Sequence, residues 1–316
     1  MNMKCSFVLL VCLSVFVLSC DDSVSPYGPF EPRLTVYALL NTNSDVQIIR
    51  VYSSFDISLD PAGGKAPDTL LNDATIRLSQ GNNTFALRDT VIFRNDLHLY
   101  KGDIAAKVAS FAPEFGKTYT ITVQSPSLGS VTATATVPSQ SSMTVFGLYS
   151  ILFPEYYNSA MLRMNVTTSS KGFVLRMFVD YEVFINDIWF PKQDEVPRNF
   201  ITLDDGTSIP SFAQLELSTG KLDQLWSLKT LAYSISSARE RYNAYHITFK
   251  RVIIEVRQFD EHLFNYYKRV NAFRDPRTIR TDAPDYTNIE GGLGVFGAFT
   301  VERLTFDFPP DYVGNQ

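Results

Sequence analysis

The chain has 316 residues, 45% of them hydrophobic, and a formal charge of −5 at pH 7. That apolar share excludes an intrinsically disordered chain. The acidic balance argues against nucleic acid as a partner, because such binding rests on basic residues that neutralise phosphates.

The first element is a targeting segment. "MNMK" supplies one positive charge, and Phe7 to Leu18 form an apolar run broken only by Cys12 and Ser14. The run is shorter than the ~20 residues that a membrane-spanning helix needs. It matches the hydrophobic region of a secretory signal, with small Ser19 at the cleavage boundary. Cys20 follows directly, and "VLSC" resembles a bacterial lipobox, with Val17 where Leu is commonest. Residues 1–19 are therefore expected to be removed as a signal peptide, leaving Cys20 as the acylated first residue. Of the three cysteines, Cys5 and Cys12 lie in the removed segment. A single leftover thiol in an exported protein calls for an explanation, and lipidation supplies one. The lipid bilayer is then the first partner, held by more than one acyl chain at about 0.8 kcal/mol per buried methylene. Asp21 and Asp22 sit just behind the anchor. An acidic run there resembles a cell-surface export signal of Bacteroidota, against the plainer reading of a solvated tether. Residues 20–31, including "SVSPYGPFEP", read as that tether.

Next come short alternating segments: "RLTVYALL", "DVQIIRVYSSF", "ATIRLSQ", "TFALRD", "YTITVQS" and "VTATATVP". Such runs, divided by turn signals at "QGNN" (80–83) and "SPSLGS" (125–130), predict strands. Residues 32–138 are expected to form an immunoglobulin-like or transthyretin-like β-sandwich. Neither a cysteine pair nor a core tryptophan supports true immunoglobulin ancestry. "VPSQSSMT" (137–144) is a polar break, and a second β-rich domain with one or two short helices is expected over 144–316. Its long strands are "FVLRMFVDYEVFI" and "YHITFKRVIIEVRQF". "STGKLDQLWSLKTL" reads as a short helix with Ser218 or Thr219 near its cap. "DEHLFNYYKRVNAF" reads as a helix with Asp260 as N-cap and Leu263, Phe264, Tyr267 and Val270 on one side. The fold class is mainly β.

The last segment, "NIEGGLGVFGAF", contains Gly292, Gly294 and Gly297 in the G-x-G-x-x-G spacing of dinucleotide sites. That chemistry needs a strand before the glycines, a helix after them, and an acidic residue about 20 positions on. Here a Pro/Asp/Asn-rich loop precedes, and a β-branched, aromatic run with Val301, Leu304, Phe306 and Phe308 follows until Pro309 and Pro310. The spacing is therefore read as structural: the glycines permit φ > 0 or close backbone approach. No cofactor is expected.

The order "RQFDEHLFNYYKRV", an Arg/Pro/Asp loop, then "YTNIEGGLGVFGAFTV" resembles the C-terminal half of a Bacteroidota lipoprotein family, the domain of unknown function 4249. The pattern "ATIRLSQ…FALRDT…YTITVQSP…VTATATVP" is similar to its N-terminal half. The resemblance implies a non-enzymatic accessory of a TonB-dependent outer-membrane transporter. The alternative is a structural or adhesive envelope lipoprotein. "DSV", "DTL" and "DTV" resemble the Bacteroidota O-glycosylation pattern at Ser23, Thr69 and Thr90.

Catalytic signals are sparse. His98, His246 and His262 are far apart in sequence, and no metal-ligand spacing occurs. His262, in the first helical turn, is expected to face solvent. "DEVP" (194–197) and "LDDGT" (203–207) carry adjacent carboxylates, the second with the Asp-Gly of a hairpin turn. A β-rich hydrolase stays open as a third class, since paired carboxylates need not be close in sequence. Arg274, Arg277 and Arg280 read as a solvated loop more readily than as an anion grip, and Tyr156–Tyr157 and Tyr266–Tyr267 as packing more readily than as stacking platforms.

Overall fold

The computed structural model describes residues 30–54, 71, 73–93, 103–146, 151–152, 154, 158–165, 169–218, 220–272, 286–310 and 312. Residues Arg33–Ser54 and Lys65–Gln316 form one compact unit, which holds every element below.

In the N-terminal half the strands are Leu34–Asn41 (β1), Val46–Ser53 (β2), Thr75–Gln80 (β3), Asn83–Phe85 (β4), Leu87–Ile92 (β5), Ile104–Ser110 (β6), Thr118–Ser125 (β7) and Gly129–Thr136 (β8). The sequence of β8, "GSVTATAT", shows why they form. Val131, Ala133 and Ala135 are buried, and the alternate threonines face outward. A period of two puts successive side chains on opposite faces of a pleated strand. The tight turns sit at the glycines of the two loops foreseen, with φ of +56° at Gly81 and +85° at Gly129.

The second half contains Ser142–Phe146 (β9), Ser159–Asn165 (β10), Gly172–Ile185 (β11), Ile188–Val196 (β12), Asn199–Thr202 (β13), Ser208–Ser211 (β14), Glu216–Leu217 (β15), Lys221–Ser227 (β16), the helix Leu228–Arg241 (α1), His246–Phe259 (β17), the helix Glu261–Ala272 (α2) and Leu293–Asp307 (β18). The single helix expected over 218–231 is a correction. Its first half is β16, paired antiparallel with β10 from Ser159↔Ser227 to Asn165↔Lys221. Trp226 is buried and Leu225 exposed, a strand's alternation. Helical periodicity begins only at Leu228, where Leu228, Leu231, Ile235 and Ala238 make the buried stripe of α1. Ser227, not Ser218, occupies the N-cap position, and Thr219 lies outside the described residues.

Four sheets form among the described residues. The largest has nine strands, in the order β12-β11-β17-β18-β1-β2-β6-β5 with β15 also on β11. β4-β3-β7-β8 is the second layer of the sandwich, β16-β10-β9 forms a three-stranded sheet, and β13-β14 is a separate hairpin. One core lies within the sandwich around Leu34, Val36, Ile49, Leu78, Ile121 and Val123. The other gathers Leu162, Leu175, Met177, Trp226, Leu231 and Ile254. The chain is thus mainly β with a sandwich first, as its alternation predicts.

β18 belongs to both halves. Residues 293–299 pair parallel with β1, and 299–307 pair antiparallel with β17. Phe296 and Ala298 accordingly enter the first core, while Phe308, just past the strand, enters the second. Within the stretch 137–144, Val137 is buried in the first core and Met143 in the second. The nine-stranded sheet runs through both.

Candidate functional site

The glycine block is the first place to look for chemistry, and its geometry is occupied by backbone. Gly294 has φ +102°, and a Cβ there would lie 2.0 Å from the Val36 carbonyl oxygen. At Gly292 it would lie 2.6 Å from the carbonyl oxygen of Leu34, and at Gly297 2.8 Å from Leu263 Cβ. The glycines let β18 lie against β1 and under α2. Asn288 clips the same turn, accepting from the Phe296 N–H at 3.0 Å and donating to the Phe296 carbonyl at 2.8 Å. A strand, not a helix, follows. The G-x-G-x-x-G spacing is structural.

Behind Gly297 lies Asp260. Its Oδ1 accepts the Leu263 N–H at 2.8 Å, the N-cap role its position predicts. Burial pushes its carboxyl up to about 7, against the pull of that hydrogen bond, and Glu261 next to it adds to the rise. The native state therefore keeps a proton that the unfolded chain releases near pH 4. Stability from this group is full below about pH 4, falls as pH rises to about 7, and is flat above. Urea unfolding of Asp260→Asn across pH 4–8 is expected to lack that decline relative to wild type, because Asn keeps the acceptor and does not titrate. His262 corrects the expectation of a solvent-facing histidine: it is half-buried, with Nδ1 2.7 Å from the Tyr286 hydroxyl.

On the large sheet, alternate residues of β11, β17 and β18 make a charged ladder. Glu255, only 1% exposed, accepts from Arg257 Nε at 2.6 Å and from Arg303 Nε at 2.7 Å. Arg176 pairs with Glu195 through two hydrogen bonds. The spacing in "IIEVRQ" carried this signal, since Glu255 and Arg257 are two apart and so share a face. Their burial was not legible.

A cleft of about 420 Å³ opens between the edge of β12, the β13–β14 hairpin and α1. Asp194 and Arg241 line it, joined at 3.2 Å, and the Tyr181 hydroxyl donates to Asp194 Oδ2 at 3.1 Å. Burial, then the Asp194 charge, raise the Tyr181 pKa, so this phenol stays a donor. Phe212 and Tyr233 stand at the cleft 45% and 43% exposed, and Pro197 and Pro210 also line it. The "DEVP" carboxylates are thus the end of a strand, each held by an arginine.

A second surface lies on the three-stranded sheet. Phe146, Met161 and Leu225 stand in register across β9, β10 and β16, exposed by 45%, 42% and 61%. Beside them Arg163 forks onto Asp223 at 2.7 and 2.9 Å and stacks 5.0 Å from the Phe146 ring. Arg198 covers the Trp226 ring at 4.6 Å and donates to the Leu225 carbonyl at 3.0 Å. Phe200, Ile201 and Ile209 on the neighbouring hairpin are exposed as well.

The family described as domain of unknown function DUF4249 matches residues 20–305. The chain belongs to the DUF4249 family. No curated protein matches it. Among solved structures it is similar to the C-terminal globular domain of an oligosaccharyltransferase from Pyrococcus abyssi, at 13% identity over 74% of this chain and 49% of that one. The chain spans about half the length of that structure, the TM-score is 0.23, and the likeness bears on neither fold nor function.

In this DUF4249 chain Cys20, Ser23, Thr69, His98, Tyr156, Tyr157, Arg274, Arg277 and Arg280 lie outside the described residues. Thr90 is half-buried on β5, beside Asp89, which holds Lys107 at 2.5 Å. His246 meets the Trp189 ring edge-on, and Tyr267 meets Phe259 the same way. Among the described residues no three His, Cys, Asp or Glu side chains converge as metal ligands. The exposed apolar row and the cleft were both missed by sequence reasoning. Their one sequence signal was Leu225 beside Trp226 in a segment read as helix.

Proposed function

We propose that this DUF4249 protein is a lipid-anchored, non-enzymatic docking protein of the outer membrane whose partner is a TonB-dependent transporter. The supporting observation is the exposed row Phe146–Met161–Leu225, bordered by the Arg163–Asp223 pair. An apolar centre with aromatic, Met and Arg side chains and a polar rim is the composition of a protein interface. Three large apolar side chains in register on one sheet face form a patch, which means more than scattered exposed leucines. The carboxylates around the cleft suit binding rather than proton transfer, since Asp194 and Glu195 are each engaged by an arginine. The anchor at Cys20 and the tether 20–31, at most ~40 Å when extended, hold the folded part within reach of a neighbouring barrel.

Purification from the native membrane in mild detergent is expected to co-isolate a TonB-dependent transporter in near-equal amount. Leu225→Asp is expected to reduce the co-isolated transporter at least about tenfold, as for a residue central to an interface. Its Tm should stay within a few degrees of wild type, because the side chain is exposed. Recovery of the lipoprotein alone, or no response to Leu225→Asp, contradicts the reading. Cys20→Ser should abolish metabolic lipid labelling and release the protein from the membrane fraction. Normal labelling of that variant would contradict acylation at Cys20.

A further inference from the structure

The cleft between β12, the hairpin and α1 has a chemistry that docking does not use. Its walls offer two aromatic rings, Phe212 and Tyr233, close to half exposed. Rings of that size normally bury most of their area, and these keep apolar faces open beside fixed polar groups. Phe200 meets Tyr233 edge-on at 5.1 Å and fixes the ring's orientation. The polar groups are Asp194 and Arg241, which neutralise each other, Glu195, which is engaged by Arg176, and the hydroxyls of Ser234 and Ser237.

A charged ligand would have to compete with that pair. A neutral one need not. The contacts of Arg241 to Asp194 and Tyr181 all run through Nη1, while a guanidinium carries five N–H donors. Asp194 accepts from Tyr181 and Arg241 and has further lone pairs, about four acceptor sites in all. Donor and acceptor therefore stand side by side in fixed geometry. Adjacent sugar hydroxyls, each of which both donates and accepts, are complementary to such a pair. The apolar C–H face of a pyranose ring is complementary to an exposed aromatic ring. The volume, about 420 Å³, falls within the ~300–1,000 Å³ of small-molecule sites.

We propose that this cleft binds a neutral oligosaccharide, with one pyranose ring stacked on Phe212 or Tyr233 and its hydroxyls bonded by Asp194 and Arg241. The site is separate from the Phe146–Met161–Leu225 row, so either assignment stands without the other.

The test is calorimetric titration of the full acylated chain, held in a detergent without a sugar headgroup. The probes are maltose-, cellulose-, xylan-, mannan- and chitin-derived oligosaccharides, with a proline-rich peptide as the competing class. At least one oligosaccharide is expected to bind saturably. Tyr233→Ala or Phe212→Ala should weaken that binding about tenfold or more, about 1.4 kcal/mol, while Tm stays close to wild type. If one of these variants misfolds, the other decides. Three results overturn the proposal: no oligosaccharide binds, binding is indifferent to both substitutions, or only the peptide binds and Tyr233→Ala abolishes it.

Discussion

Gly294→Ala is expected to destabilise the whole described fold by at least about 3 kcal/mol, a value at the severe end for single substitutions. Two costs combine. At φ +102° an L side chain is strained, at about 1–3 kcal/mol. The new Cβ would also stand 2.0 Å from the Val36 carbonyl oxygen, and that atom is backbone of the paired strand β1. β1 or β18 must shift, and both cores feel it, because β18 contributes to each. Gly81→Ala is the control. Its φ is also positive, at +56°, but nothing lies within 4 Å, so its cost should stay near 1 kcal/mol. Equilibrium urea unfolding of both variants measures the difference. Equal small losses would show that β18 does not lie against β1 as described.

Trp226→Ala should cost about 3–5 kcal/mol, the usual range for deleting a fully buried large aromatic side chain. The ring is 0% exposed, and its Nε1 donates to Thr230 Oγ1 at 3.2 Å, linking the end of β16 to the first turn of α1. Arg198 would also lose the ring that its guanidinium covers. Trp226→Phe should recover roughly half of the loss, since most of the apolar volume returns without the hydrogen bond. Unfolding midpoints by circular dichroism decide this. A loss of well under about 1 kcal/mol for the alanine variant would mean that the second core does not close around Trp226.

The positive φ of Gly294 was readable as a possibility from its type and from the strand that follows. The atom it would strike was not, because Val36 lies 258 positions away. Asp260 was readable as an N-cap from "DEHLF", whereas its burial and raised pKa come from β18 passing over it through Gly297. Trp226 sat in a stretch whose residues satisfy either period over a short window. Pairing with β10 made the first half a strand, and packing on the second core made the second half a helix. His262 looked exposed from its place in the first turn, and Tyr286 from a distant segment covers it.

The order of residues alone determined the β-rich class, most strand positions, the turns at Gly81, Gly129 and Gly206, and the structural nature of the glycine block. All of these rest on local physics: alternation at a period of two, and backbone angles that only glycine adopts freely. Only the tertiary structure decided that β18 closes parallel on β1 and joins the two halves in one sheet. It alone brought Phe146, Met161 and Leu225 into a single exposed row, and set Phe212 and Tyr233 beside the Asp194–Arg241 pair. Those features depend on strand register and on contacts between residues far apart in the chain. Register is chosen by the burial of whole faces at once, and no short window of sequence contains that choice.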